Sequence, residues 1–328
     1  MFDIITFGSA SKDIFIKSGA FKVLHNNNDF IAGKGICLDL GSKIDVDDIV
    51  FASGGGGTNT AATFARQGFK TAFCGAVGDD IAGREIIEEL KKISVDTKFV
   101  LKKEEKSTNH SIIVLSGKED RTILVYRGAA ELADIKDIPI EKLKTRWIYL
   151  APLSGLLCDN FASIVDFASR NKIKIALNPS KQQLDLPAKT LKNILQKTDI
   201  LFLNQEEASI LAKIPFSQEM EIFRKIDEMF PGILVMTKGG KGVAVSDGKL
   251  FYSAKPDPGR KIVDTTGAGD SLASGFLSEF IKTKGNIESA IQFGLANSAA
   301  NLSRVGAKTG LLDKESKFER VQVLKENN

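Results

Sequence analysis

A chain of 328 residues with 45 basic and 41 acidic side chains, net charge +4, has room for one large domain or two smaller ones and no long basic run of the kind that binds nucleic acid. Hydrophobic residues make up 43% and charged residues 26%, as in soluble globular proteins, and no run approaches the ~18 apolar residues of a membrane span. Three widely spaced cysteines and two histidines exclude a disulfide framework and a Cys/His zinc site, so a reducing cytoplasm is the expected setting and any metal should be a hard ion on oxygen ligands.

The chain opens without the basic region of a signal peptide, and Ile4–Gly8 reads as a first core strand. Gly8-Ser9-Ala10-Ser11-Lys12-Asp13 leaves that strand, and carboxyl ends of strands line the ligand crevice of open α/β sheets. Asp13 can there accept hydrogen bonds from two vicinal hydroxyls, as a sugar would offer; an ordinary turn residue is the alternative. Gly54 to Gly57, followed by Thr58-Asn59, precedes a helix expected over Thr58–Gln67. Four glycines permit close backbone approach to a ligand, and Asn59 offers both donor and acceptor. The dinucleotide fingerprint G-x-G-x-x-G is not matched.

A strand over Thr71–Val77 and a helix over Ala82–Ile93 follow, and Lys102, Lys103 and Lys106, interrupted by Glu104 and Glu105, read as a solvated loop. Ser107–Arg127 reads as a hairpin: His110–Leu115, a turn at Gly117-Lys118-Glu119-Asp120, then Thr122–Tyr126. Ile14–Val50 holds further short strand-like pieces, punctuated by Gly19, Asn26-Asn27-Asn28, Gly33, Gly35 and Gly41. Segments 14–50 and 107–127 together could form a small sheet projecting from the main domain. Such a sheet over a phosphate site is a natural lid, because it excludes water; an edge extension without function is the alternative.

Strands over Trp147–Leu150, Ile173–Leu177, Ile200–Asn204, Ile233–Thr237 and Val243–Ser246 alternate with helices over Asn160–Asn171, Glu206–Ala212, Met220–Met229, Asp270–Lys282 and Ile287–Ser303. That rhythm predicts an α/β fold with a mostly parallel sheet covered on both faces, in a single domain over 1–328 without a long linker. Asn204 and Glu207 stand three apart at a helix start and could hold water around Mg²⁺; an N-cap followed by acidic first-turn residues is the plainer reading. Thr237, Gly239 and Gly242 belong to a glycine turn that suits a phosphate, or a simple hairpin. Neither a Walker loop nor the protein-kinase signatures are present.

Val263 to Ser271, reading V-D-T-T-G-A-G-D-S, is the most informative stretch. Apolar residues at Leu272, Ala273, Phe276, Leu277, Phe280 and Ile281 mark one helix face, so Gly267, Ala268 and Gly269 lie at a helix N-terminus. Free amides and the helix dipole suit a phosphate there. Asp270 beside an anion cradle makes sense as the base that takes a proton from a hydroxyl attacking that phosphate; an Asp stabilising a helix start is the alternative.

In order along the chain, Gly54-Gly55 with Asn59, Gly75-x-Val77-Gly78-x-Asp80-x-x-Gly83, Asn204-x-x-Glu207, Thr237-x-Gly239-x-x-Gly242, Asp264 to Asp270 and Gly306-Ala307 resemble the ribokinase-like (PfkB) carbohydrate kinase family. The resemblance runs from Gly8 to about Leu312 and implies a three-layer αβα sandwich with a β-sheet lid. It implies an ATP-dependent kinase, with Mg²⁺ and, as in the potassium-activated members, K⁺. Asp270 would be the catalytic base and Gly267, Ala268 and Gly269 the anion hole. Asp13, Gly55 and Asn59 would bind sugar; Asn204 and Glu207 would hold metal and phosphate, and Thr237, Gly239 and Gly242 the nucleotide. Asp264 and Thr266 match positions that help hold the monovalent cation. A homodimer through the lid is a further expectation.

The departures concern the substrate. Ribokinases resemble Gly-Gly-Lys-Gly-Ala-Asn where this chain has four glycines, Thr58 and Asn59, and no acid follows the strand ending Ala151-Pro152-Leu153. A phosphosugar would need added cations, for which Arg127 offers one. The polar residue often near the adenine falls on Leu295, with Asn297 two positions away. A small sugar or sugar derivative is the expected acceptor, a nucleoside the runner-up, and a non-catalytic sensor on the same fold the rival from another class.

Overall fold

The computed structural model describes residues 1–25, 33–116 and 121–327. The punctuation at Asn26-Asn27-Asn28 and the hairpin turn at 117–120 lie outside the described residues.

β1 (Phe2–Phe7), β2 (Ser11–Lys17), β3 (Lys22–His25), β4 (Lys34–Cys37) and β5 (Asp48–Gly54) come first. They are followed by α1 (Gly56–Arg66), β6 (Thr71–Gly78), α2 (Ile81–Lys92), β7 (Asp96–Lys103), β8 (Asn109–Leu115) and β9 (Arg121–Tyr126). The middle of the chain holds β10 (Thr145–Leu150), α3 (Gly155–Asp159), α4 (Phe161–Arg170), β11 (Lys174–Leu177), α5 (Lys181–Leu184), α6 (Ala188–Leu195), β12 (Ile200–Asn204) and α7 (Gln205–Ala212). Last come α8 (Glu219–Asp227), β13 (Ile233–Thr237), β14 (Val243–Ser246), β15 (Leu250–Ala254), α9 (Ala268–Lys282), α10 (Ile287–Leu302) and β16 (Val323–Asn327).

The main sheet has the order β16-β15-β14-β13-β12-β11-β10-β1-β6-β7. From β7 to β13 neighbouring strands run parallel, and β14, β15 and β16 add an antiparallel edge. Side chains of α3 to α8 pack on one face, those of α1, α9 and α10 on the other. The expected three-layer α/β architecture is therefore what the chain adopts. Phe64, Tyr149, Phe202 and Phe276 form an aromatic ladder with centroids 5.6, 6.1 and 5.8 Å apart, which seats α1 and α9 side by side. No described helix is long and apolar enough to cross a membrane.

The strand order reverses between β1 and β10. From β1 the chain winds outward through β6 and β7; from β10 it winds the other way, and the crevice opens at their carboxyl ends.

A second sheet has the order β5-β2-β8-β9 and joins the segments expected to pair. It begins earlier than expected, at Ser11, so Asp13 lies in a strand of this sheet and not in a turn. Asp13 stands opposite Ala52 on β5 and Ser111 on β8. β3 and β4 form a separate two-stranded ribbon. The sheet's root is fixed by Asp80, which caps α2 at Gly83 N (2.7 Å) and accepts from the amide (2.8 Å) and hydroxyl (2.7 Å) of Thr108. Gly83 must be bare, because a Cβ there would stand 2.3 Å from Gly78 O.

Three strands of the main sheet go unannounced in the sequence: β15, which lies between β14 and β16, and the two edge strands β7 and β16. β7 ends in the Lys102-Lys103 pair expected in a solvated loop, and β16 carries Lys325 and Glu326. Charged side chains suit an edge, where they deter pairing with other chains, and that same composition hides the strand from a hydrophobic pattern.

Candidate active site

Gly267, with φ 73°, caps α9, and a Cβ on it would meet Ala307 Cβ at 2.7 Å. Only glycine fits this left-handed, closely packed corner. Asp264 staples the approach: Oδ1 accepts from the Thr266 amide (2.9 Å) and hydroxyl (2.7 Å), and Oδ2 from the Gly306 amide (2.9 Å). Of the three amides expected to form the anion hole, that of Ala268 donates to Thr265 O at 3.3 Å, whereas those of Gly267 and Gly269 have no partner among the described residues. A Cβ on Gly269 would meet nothing within 4 Å, so this side of the turn is open to a ligand.

Two cavities flank the turn. The first, of about 260 Å³, lies at the ends of β1 and β10 and is lined by Asp13, Gly55, Asn59, Thr266, Gly267 and Asp270 among others. Asn59, 5% exposed, donates from Nδ2 to Asp270 Oδ2 at 2.8 Å, and its buried Oδ1 has no partner among the described residues. An orphaned acceptor beside a carboxylate is suited to a ligand hydroxyl. Burial pushes the Asp270 carboxyl above the usual range against the bond from Asn59, and the charge of Asp13 adds to the rise. Burial also raises Asp13, offset in part by the hydroxyls of Ser11 (2.8 Å) and Ser111 and by Lys308.

The glycine run serves this cavity differently from expectation. A Cβ on Gly54 would stand 2.0 Å from Asp13 Oδ2, one on Gly55 2.5 Å from Ser9 O, and one on Gly57 2.5 Å from Phe73 Cε2. These glycines let the chain close on itself and make room for Asp13. Gly55 and Gly56 also line the cavity, and a Cβ on Gly56 would stand 3.5 Å from Asp270 Oδ1.

The second cavity, of about 440 Å³, includes Asn204, Thr237, Gly239, Gly242, Thr265, Ala268, Gly269 and Leu295 in its lining. Glu207 is not part of that lining. Its Oε2 accepts from the Asn204 amide and Asn204 Oδ1 from the Glu207 amide, both at 2.8 Å, a reciprocal cap on α7. Burial nevertheless holds the Glu207 carboxyl above its usual range, with Glu206 adding to the rise. A carboxylate so short of positive charge suits a hydrated Mg²⁺, held through water. Beside Asp264, expected to help hold a monovalent cation, Arg121 Nη1 lies 3.5 Å from its Oδ1. Leu295 does line the cavity, but Asn297 is fully buried, donating to Ser271 O (2.8 Å) and accepting from Leu312 N (2.9 Å). It pins α10 to α9 and the C-terminal segment and contributes nothing to the pocket wall.

Apart from Arg127, noted above as a cation for a phosphosugar, several further lining residues carry no signature in the sequence. Ser11, Ser111, Ser154 and Arg127 face the first cavity and Pro256 and Arg260 the second. Ser11 was legible only through the period of two that it shares with Asp13 once β2 is known to be a strand.

The pfkB family carbohydrate kinase model matches residues 22–314. A ribokinase of Bacillus subtilis is 31% identical over 271 residues, covering 79% of this chain and 84% of that protein. A nucleoside kinase of Methanothermobacter thermautotrophicus is 29% identical over 248 residues, 73% and 76% of the two chains. Among solved structures, the ribokinase of Arabidopsis thaliana complexed with ribose and ATP superposes with a TM-score of 0.77 over 96% of each chain, at 21% identity.

Proposed function

The chain belongs to the pfkB family of carbohydrate kinases, ATP-dependent phosphotransferases, and we propose that it moves the γ-phosphoryl group of ATP to a hydroxyl of a small sugar or sugar derivative. One observation carries this reading. The segment Thr265–Asp270 walls both cavities at once, with Thr266, Gly267 and Asp270 toward the first and Thr265, Ala268 and Gly269 toward the second. An acceptor in the first and a nucleotide in the second meet across it.

In the reaction, Asp270 takes the proton of the acceptor hydroxyl as its oxygen bonds to the γ-phosphorus and the bond from that phosphorus to the β–γ bridging oxygen breaks, releasing ADP. Asn59 fixes one oxygen of Asp270 and leaves the other for the hydroxyl. Asp13 and Asn59 Oδ1 accept from neighbouring hydroxyls of the sugar. The Gly267 and Gly269 amides, at the positive end of α9, meet the charge that develops on the phosphoryl oxygens. Glu207 would hold Mg²⁺ through water, and that ion would supply further charge neutralisation at the nucleotide phosphates.

The small sheet serves as a lid, since it carries Asp13 over the crevice and excludes water. Amides of β2, β5, β8 and β9 should gain hydrogen-exchange protection with sugar plus a non-hydrolysable ATP analogue; protection confined to the Gly267–Asp270 region would reject the lid. Its outer face exposes Phe51 and Leu124 beside Ile14 and Ile112 in one cross-strand row, and a second copy of the chain fits that apolar face. Light scattering showing only monomers at micromolar concentration would reject the dimer. Three free cysteines, two of them buried, fit a reducing cytoplasm.

ADP release measured across ribose, fructose, adenosine, inosine and phosphosugars tests the function. Turnover of a sugar supports the reading, preference for a nucleoside moves the assignment to the kinase alternative, and binding without turnover would make the protein a sensor.

A further inference from the structure

Asp264 sits at the root of the anion turn with only 9% of its side chain exposed. Its oxygens already accept two amides and a hydroxyl, from Thr266 and Gly306. Hydrogen bonds from neutral groups orient a carboxylate but leave its charge in place. An uncompensated negative charge here would repel the phosphoryl group that the adjoining turn is built to receive. A positive charge at this carboxylate therefore has a job to do in the reaction.

That charge is already present in the chain. Arg121, one-quarter exposed, places Nη1 3.5 Å from Asp264 Oδ1 and donates to the hydroxyl of Thr265, 144 positions away. It is the first residue of β9 and so belongs to the small sheet, not to the domain that carries the turn. A free monovalent cation would compete for the same oxygen with a guanidinium tethered beside it, and tethering raises the effective concentration of the internal group.

We propose that Arg121 is the resident cation of the anion turn. It supplies at Asp264 the charge that a bound monovalent ion would otherwise supply, so transfer needs no added K⁺ and the turn is complete only with the small sheet in place. Arg121 acts through Asp264 and Thr265 as a positioning residue, and the inference rests on the kinase reading above.

Turnover in KCl, NaCl and tetramethylammonium chloride at equal ionic strength tests it. Wild-type rates should agree within about two-fold, because the site's charge is already filled. Arg121→Gln keeps donors but no charge; in tetramethylammonium it should lose about 10-fold or more in turnover while KM for ATP changes by less than about three-fold. Added K⁺ should restore much of that loss, and Arg121→Lys should remain indifferent to K⁺. A wild type strongly activated by K⁺, or an Arg121→Gln enzyme that is unimpaired or unresponsive to K⁺, overturns the proposal.

Thermal melting gives an arm that needs no substrate. Replacing tetramethylammonium by K⁺ should leave the wild-type Tm unchanged and raise that of Arg121→Gln by about 2 °C or more. A K⁺-specific rise in the wild type counts against Arg121. Absence of turnover with every acceptor would strike the kinase reading and leave this comparison to decide the cation.

Discussion

The two cavities share one wall and are otherwise built from different materials. The acceptor side places charged and amide side chains in near-complete burial: Asp13 is 4% exposed and Asn59 5%. The donor side relies on glycine backbone at Gly239, Gly240 and Gly242 and on an apolar wall of Leu272, Leu295 and Leu302. Buried carboxylates select strongly, because a ligand lacking the matching hydroxyl leaves them desolvated and unpaired. Backbone turns and leucines select by shape and discriminate less. On the proposed assignment specificity rests with the acceptor, and substitutions on the two sides should separate cleanly.

Asp270→Asn should cost the most, about 10²–10⁴-fold in turnover with acceptor affinity much less changed, the usual worth of a general base. Turnover within a few-fold of wild type would remove Asp270 from the mechanism. Its pH profile follows from the same burial. The base works ionised and its carboxyl is held above the usual range, so kcat/KM should fall on the acid side at a higher pH than an ordinary carboxylate would give.

Stability should run the opposite way. A folded-state pKa above the unfolded one means that the native state binds the proton more tightly, so this carboxylate's contribution declines as pH rises from the unfolded to the folded value. Asp270→Asn should therefore melt higher than wild type at neutral pH and lose that advantage below pH ~4, the ordinary Asp value. Equal melting at both pH values would deny that burial strains the site.

Asp13→Ala should lower kcat/KM for the sugar by about 10-fold or more, on the scale of a charged hydrogen bond, while KM for ATP hardly moves. Weakened ATP binding with the acceptor spared would reverse the assignment of the two cavities.

The smallest effects belong to the donor turn. Gly239 has φ 56° with open space around a Cβ, so Gly239→Ala should cost only about 1 kcal/mol of stability and a few-fold in KM for ATP. At Gly242 the φ is 99° and a Cβ would stand 2.1 Å from Ala254 O, so Gly242→Ala should be the more damaging of the two. Neither should alter KM for the sugar, and a change there would break the separation of the cavities.

Much of this was legible in the sequence because it is local. Helix and strand periods place most of the core elements, and the glycine turn is a contiguous run that marks the start of α9 at Gly267. Asn204 and Glu207 show the limit of such reading. Their spacing identifies a helix start, yet the capping box and a metal site use the same residues, and only the tertiary packing leaves Glu207 outside the cavity lining.

The α/β class and the family were legible along the chain, because they rest on spacings of a few residues that backbone geometry makes meaningful. Tertiary structure alone decided what each side chain meets. Asn59 reaches Asp270 across 211 positions and Arg121 reaches Thr265 across 144. The glycines at 54, 55 and 57 are bare where Asp13, Ser9 and Phe73 pack against them, and Gly55 also lines the first cavity. Such contacts follow from how sheets and helices pack in three dimensions, and no periodicity along the chain encodes which distant residue will stand opposite.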